Sequence, residues 1–292
     1  MTDTLFDATL VVARSLNRVR TGIATGGSTT TVVDSNFRTE SDDYWNGGTV
    51  WITEDVGGAG AAPEGEFSRV TDFANATGTI TCSPAITAVG AGDKYAVADA
   101  HIPLDVLIEA VNEVLTGLQI ELEDWTSLDT VAGQTVFSLP STIPGQNLKE
   151  VHIQTKVGDA DDFRWRRVYN WEIDYQVAGT EDKIILPRDL TAERDLRLVY
   201  VSTHGALYDD GDKIDESIHL NRIRYAAAMN VLEWQMADRS GDKYVERQYE
   251  KLAAKAAMAE RNYPIRKRKK TGRIMRFGAS ASEDRFKAIP SP

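Results

Sequence analysis

Helical periodicity in this sequence is interrupted by a long segment whose residue pattern is typical of short β-strands. Apolar residues recur at three- and four-residue intervals over residues 4–20, and an amphipathic stripe begins after Pro103. Between them, residues 22–99 hold short β-branched runs separated by Gly, Asn, Asp and Pro. This pattern favours about five or six strands, so we expect a small all-β barrel or sandwich inserted between two helices. An insertion of this kind works best when the two ends of the inserted module lie close together.

The remainder of the chain alternates between helix and strand signals. A leucine-rich stripe from Pro103 predicts a helix that ends at Trp125, with its apolar face at Leu104, Leu107, Ile108, Val111, Leu115, Leu118 and Leu122. A second β-region is expected over about 133–203, with strands at Gln134–Leu139, Leu148–Lys156, Phe163–Val168, Lys183–Leu186 and Leu196–Ser202. We expect its core to contain Trp165, Tyr169 and Trp171.

Two helices are predicted to complete the folded body, over residues 214–239 and 242–263. The apolar face of the first is expected at Ile218, Tyr225, Ala226, Met229, Leu232 and Met236. The short break at Ser240-Gly241 favours antiparallel packing of the pair. The predicted fold class is therefore α+β: an antiparallel helical bundle with a β-domain (1–21 and 100–263), an inserted β-module (22–99) and a flexible C-terminal tail (264–292).

Charge is divided unevenly along the chain. Residues 261–292 contain ten Lys or Arg and two acidic residues, a net +8, whereas the preceding 260 residues carry 23 basic and 42 acidic groups, a net −19. An acidic body would repel duplex DNA, but a basic tail with interleaved apolar residues suits docking on an acidic protein. Two alternatives to protein docking are that the tail contacts nucleic acid, or that it is solvated and binds no partner. The predicted docking residues are Arg266, Lys267, Arg268, Lys269, Lys270, Arg273, Ile274 and Phe277.

Residues suited to catalysis or metal binding are sparse. The single cysteine, Cys82, excludes an internal disulfide framework, and the histidines are far apart: His101, His152, His204 and His219. The acidic run 209–212 lacks the spacing of a calcium loop and predicts a turn, with Asp212 or Asp215 capping the next helix. The glycine-rich stretches lack the lysine or following helix of a phosphate site. We therefore predict no catalytic residue, no cofactor and no metal site.

Targeting signals are also lacking in the sequence. No run of about 18 apolar residues occurs, which argues against a membrane span. The first residues lack the basic start and apolar core of a signal peptide. We therefore expect a protein made in a reducing cytoplasm, without a membrane partner.

The order of several segments points to a family. These segments are Leu104–Leu115, Val131–Pro140, Leu196–Tyr200, the acidic turn near Asp210, Ile218–Met236 and the charged final helix. In this order they resemble the head-to-tail connector (neck adaptor) proteins of tailed bacteriophages. Within the inserted module, Asp42–Trp51 and Arg69–Ile80 are similar to small β-modules that recur in phage structural proteins.

The resemblance implies a structural, non-enzymatic protein at the head–tail interface of a virion. It implies a homo-oligomeric ring, commonly of twelve copies, between the portal protein and a tail, tail-terminator or nozzle protein. The basic tail would insert into the portal, and genomic DNA would pass through the ring without sequence-specific binding. The alternative is a virion surface or decoration protein whose inserted module binds capsid or a host glycan, the glycan through Trp45 and Trp51.

Overall fold

The computed structural model describes residues 2–38, 40–57, 62–155, 165–175, 181–188, 190–238 and 242–265. In these ranges the chain has an α+β fold of four α-helices and antiparallel β-sheets. The helices are α1 (Leu5–Ser15), α2 (Leu104–Gly117), α3 (Leu220–Asp238) and α4 (Lys243–Asn262). The first seven strands are β1 (Val19–Ile23), β2 (Gly26–Gly27), β3 (Thr31–Val33), β4 (Thr49–Glu54), β5 (Phe67–Ala74), β6 (Thr79–Ser83) and β7 (Lys94–Ala98). The others are β8 (Gln119–Asp129), β9 (Val136–Ser138), β10 (Leu148–Gln154), β11 (Trp165–Val168), β12 (Glu172–Asp174), β13 (Lys183–Ile185) and β14 (Asp195–Thr203).

The first helix is shorter than its periodicity predicts. Thr4 and Asp7 form a capping box at its start, in which each side chain accepts a hydrogen bond from the other residue's peptide N–H. The helix ends at Ser15, and Asn17 adopts a left-handed backbone conformation with φ of 55°. The chain then enters β1, which pairs with β7. The predicted helix over 4–20 is therefore wrong in its last turn, because pairing with β7 replaces helical hydrogen bonds there.

A single seven-stranded antiparallel sheet occupies the segment expected to form the inserted module. Its strand order is β1-β7-β4-β5-β6-β3-β2. The edge strands β1 and β2 are joined along the chain by only Ala24 and Thr25, so the sheet must curl to bring its two edges near each other. In the part of the chain that the structure describes, β1 and β2 do not pair. The sheet is thus strongly curled but open: the expected all-β module is present as one antiparallel sheet, without the closure of a barrel.

The central strands of this sheet are buried on both faces. On β4, Val50 and Ile52 belong to the core inside the curl, whereas Trp51 between them belongs to the core formed by the helices. On β7, Ala96 and Ala98 likewise face the helices. Successive side chains of a strand point to opposite faces, which explains why these strands are continuously apolar rather than alternating. The sheet and the helices consequently share one hydrophobic core.

The helices pack in a defined order around α3. Contacts join α1, α2 and α3 to one another, whereas α4 packs mainly on α3. The α3–α4 pair is antiparallel, since Arg222 near the start of α3 reaches Glu260 near the end of α4, and Glu233 reaches Tyr249. Of the predicted face, Leu232 and the preceding Ile218 are buried, but the other fully buried residues of α3 are offset from it: Ile223, Ala227, Ala228 and Val231. Of the predicted residues, Tyr225, Met229 and Met236 are only partly buried, because α3 divides its surface between several neighbours.

The second helix also ends earlier than predicted. It stops at Gly117, and residues 119–129 form β8 beside β14. Leu122, placed on the helical stripe by its spacing, therefore lies in a strand opposite Tyr200. The helical prediction for residues 118–125 is wrong because the long-range pairing with β14 determines the conformation of this segment.

Two sheets enclose the core of the second β-region. One has the order β11-β10-β14-β8 and the other β12-β13-β9. Leu196 and Leu198 of β14 point into this core, as their alternation predicts. Trp171 packs against it, but Tyr169 is 67% exposed and lies over the Arg167 guanidinium instead. Its assignment to the core was therefore wrong.

Candidate docking site at the C-terminal end

The predicted docking residues lie outside the described part of the chain. They are Arg266, Lys267, Arg268, Lys269, Lys270, Arg273, Ile274 and Phe277. The structure describes the chain up to Ile265, and the end of α4 with residues 263–265 is called the tail root below. The tail root fixes where the basic segment leaves the folded body.

Arg222 holds the tail root to the start of α3. Its Nη2 donates to the Glu260 carboxylate at 3.2 Å, and its Nη1 lies 3.4 Å from the carbonyl oxygens of Glu260 and Tyr263. The Tyr263 N–H donates to the Ala259 carbonyl at 2.8 Å. A guanidinium at these carbonyls satisfies acceptors that a helix C-terminus leaves free and complements the negative end of the helix dipole.

Aromatic and apolar contacts complete the anchorage of the tail root. The Tyr263 ring stacks on the His219 imidazole with 4.3 Å between ring centroids and 28° between planes. Ile265 packs against the core formed by the helices. The chain therefore leaves α4 in a fixed position. Sequence reasoning missed Arg222, His219 and Tyr263, because their proximity depends on antiparallel packing of two distant helix ends and no local pattern marks it.

An acidic cavity adjoins the tail root. It has a volume of about 300 Å³, and its lining includes Asp3, Asp215, Glu216 and His219. The same His219 stacks on Tyr263, so the cavity and the tail root share a wall. Three acidic residues therefore line this cavity beside the tail root.

The acidic turn at 209–212 caps α1 rather than α3. The carbonyls of Asp210 and Asp212 accept the N–H groups of Phe6 and Leu5, at 3.1 and 2.9 Å. The Asp212 carboxylate accepts two peptide N–H groups inside the turn, which hold its pKa below the usual range. Asp215 binds the N–H of the nearby Ser217. The predicted capping of the next helix by Asp212 or Asp215 is wrong, because α3 begins later, at Leu220.

The Asp210 carboxylate lies against the seven-stranded sheet. It lies near the Phe67 N–H at the start of β5 and near the Glu66 carboxylate. Burial raises the pKa of the Asp210 carboxyl, and the negative charge of Glu66 adds to the rise. This turn therefore caps the first helix through its backbone carbonyls, and its Asp210 carboxylate lies beside the sheet.

The histidines each have a local structural partner. His101 and His152 pair with Asp99 and Glu150, both at 3.1 Å. His204 accepts the Asp215 N–H, also at 3.1 Å. Within the described ranges, His, Cys, Asp and Glu side chains form no cluster of three that could hold a metal ion.

Cys82 is a buried core residue of β6. Burial raises the pKa of its thiol, which disfavours the nucleophilic thiolate. The interpretation of Cys82 as a small core side chain is confirmed.

The aromatic residues proposed for glycan binding are buried. Trp45 is 3% exposed, and Trp51 is 0% exposed with its Nε1 donating to Thr9 Oγ1 at 3.1 Å. Sugar rings stack on exposed aromatic faces, so neither tryptophan offers a platform. Both are core residues.

Comparisons with known proteins do not extend the resemblance. No family model matches this sequence, and no curated protein matches it. None of the described helices combines the length and the apolar character that a membrane span requires. Function is therefore inferred from the residues of this chain.

Proposed function

We propose that this protein is a structural adaptor in the neck of a tailed bacteriophage. In this proposal the chain forms a ring that joins the portal protein to the tail and surrounds the path of DNA exit. The basic segment 266–277 docks on the portal, and the folded body meets the tail protein. The chain performs no catalysis in this role.

The anchored tail root is the observation that carries the proposal. Residues 266–292 hold nine basic and two acidic residues, a net +7, and this segment begins at a position that Arg222, His219 and Ile265 hold against the helices. A basic segment attached in this way reaches an acidic partner from a defined point, so the encounter is accelerated by charge and the geometry of docking is set by the root. Repetition around a ring then multiplies a modest affinity into strong attachment.

The charge of the body supports passage of DNA without binding. Residues 1–260 have a net charge of −19. DNA phosphates are repelled by such a surface, and binding to duplex DNA normally depends on basic side chains that release counterions. An acidic body is therefore compatible with a conduit and unsuited to a DNA-binding role.

Deletion of the tail tests the proposal. A chain that ends at residue 264 should keep the far-ultraviolet circular dichroism expected of its folded body and lose binding to purified portal rings in co-sedimentation. A matched control that ends at residue 278 keeps the predicted docking residues and loses only the last basic pair, Arg285 and Lys287. It should bind portal rings normally. Undiminished portal binding by the shorter chain would contradict the proposed docking role.

The alternative, a virion surface or decoration protein, needs a binding surface on the seven-stranded sheet. Because Trp45 and Trp51 are buried, host-glycan binding would have to use other residues, such as Tyr44, which is 45% exposed. Attachment to virus capsids by a chain that lacks the tail would favour this alternative.

A further inference from the structure

The outer face of α4 carries basic and small apolar side chains that nothing in the described fold covers. Val245, Leu252 and Ala259 turn the inner face of this helix toward the core. At 100° per residue the opposite face presents exposed residues: Lys243, Arg247, Lys251, Ala254, Ala257, Met258 and Arg261, with Glu246 and Glu250 along one side of the basic row. Met258 is 63% exposed. With four basic and two acidic residues, this face has a net charge of +2 on a strongly acidic body, and its basic row is Lys243, Arg247 and Lys251.

The outer face of α2 has the complementary charge. Asp105, Glu109 and Glu113 are exposed and recur every four residues, opposite a buried face that includes Leu107 and Val111. Glu113 accepts a hydrogen bond from the Asn230 amide at 2.8 Å, and it remains exposed. Asp105 and Glu109 make no ion pair with any residue the structure describes.

The spacing of the two faces matches. Lys243, Arg247 and Lys251 also recur every four residues, a rise of about 6 Å along a helix. Two helices laid side by side with this repeat bring all three pairs of opposite charges together. Ala254, a small residue on the same face, permits close approach of the second helix.

One copy of the chain cannot join these two faces itself. The helix α2 packs against α1 and α3, whereas α4 packs mainly on α3, so α3 separates them. Each face is therefore free to meet the opposite face of another molecule.

From this arrangement we infer that the outer face of α4 binds the outer face of α2 on a second copy of this chain. Because the two surfaces differ, the contact is heterologous, and its repetition closes a ring or extends a filament. This inference deepens the proposed function, since a neck adaptor acts as a ring, and it names the surfaces that build the ring.

Charge reversal on the full chain tests the inference. In sedimentation velocity, Asp105→Lys with Glu109→Lys should raise the dissociation constant of self-association at least about 100-fold. Each substitution places two positive charges opposite each other, and each such pair weakens the contact about tenfold. Arg247→Glu with Lys251→Glu should weaken it equally. A mixture of the two double variants should associate again, because each then offers the face that the other lacks. The quadruple variant should also self-associate.

A control separates this effect from net charge. Asp72→Lys with Glu172→Lys changes two exposed acids elsewhere and alters net charge by the same amount, so it should leave association unchanged. Circular dichroism verifies that each variant is folded. A wild-type chain that stays monomeric throughout a concentration series, or an α2 variant that associates like wild type, would overturn the inference.

The same variants distinguish this inference from the proposed function. The association measurements contain no portal protein, whereas the tail deletion is read by portal binding. Self-association through α2 and α4 can therefore be disproved while portal binding by the tail is confirmed, and the reverse can also occur.

Discussion

Replacement of Trp51 should destabilise the sheet and the helices together. Trp51 lies on β4, is fully buried in the core formed by the helices, and donates its indole N–H to Thr9 of α1. Trp51→Ala removes this bond and leaves a cavity, at a cost of about 3–5 kcal/mol in the free energy of unfolding. That is a large part of the roughly 5–15 kcal/mol that stabilises a typical folded domain.

The contribution of the hydrogen bond can be isolated. Thr9 Oγ1 accepts from Trp51 and donates to the Phe6 carbonyl at 3.0 Å. Thr9→Val keeps the shape of the side chain but leaves the indole N–H without an acceptor, which costs about 1–3 kcal/mol. Trp51→Phe with Thr9→Val removes both partners, and the double-mutant cycle should show a coupling of about 1 kcal/mol.

Urea unfolding is the assay, followed by circular dichroism at the helical band and by tryptophan fluorescence. For Trp51→Ala both signals should move to lower urea in one transition. Trp234→Phe, a change at a tryptophan that is 42% exposed, is the matched control and should cost less than about 0.5 kcal/mol. If the helical signal of Trp51→Ala kept its wild-type midpoint while fluorescence shifted, the reasoning from a shared core would be refuted.

Two further changes probe the ends of the helices. The raised pKa of Asp210 means that the folded state holds this proton more tightly than the unfolded state, so ionisation at neutral pH costs stability. Asp210→Asn should therefore raise Tm near neutral pH, with the gain vanishing below about pH 4, and an equal gain at all pH values would refute this cause. Tyr263→Ala should speed amide hydrogen exchange in the last turn of α4 by removing the stack on His219, worth about 0.5–1.5 kcal/mol. Tyr263→Phe keeps the stack and should exchange at the wild-type rate; unchanged exchange in the alanine variant would show that the stack does not hold the root.

Local signals were sufficient to predict most of the strands. Residues 49–52 are a run of β-branched and aromatic residues, residues 94–97 include Tyr95 and Val97, and both segments are strands in the structure. The same pattern located Leu196–Ser202, where Leu196 and Leu198 are buried. Signals of this kind lie within a few residues of sequence and need no knowledge of neighbours.

A segment whose apolar spacing fits both a helix and a strand was predicted wrongly. Leu118 and Leu122 continue the helical spacing of α2, but Ile120 and Leu122 also alternate with Glu121 and Glu123. Pairing with β14 selects the strand, and the alternation was the signal that could have found it. The start of β1 was missed for another reason: Arg14, Arg18 and Arg20 were interpreted as the basic C-terminal end of the first helix, whereas β1 begins at Val19.

The tail root could not be predicted from the sequence, although the charge of the tail could. The +8 of residues 261–292 is a property of composition. The contact of Arg222 with Tyr263 joins residues 41 positions apart and depends on how α3 and α4 pack. Similarly, the opposition of α2 and α4 on two sides of α3 follows from packing, while the charges on each helix are visible in the sequence.

The most direct test of the proposed function is a cryo-electron microscopy reconstruction of the vertex through which DNA leaves the particle, computed with ring symmetry. We expect density for this chain as a ring directly beneath the portal, with its tail root facing the portal and α4 of each copy against α2 of the next. Density for the chain on the capsid faces or at a fibre tip, with none beneath the portal, would contradict the adaptor function.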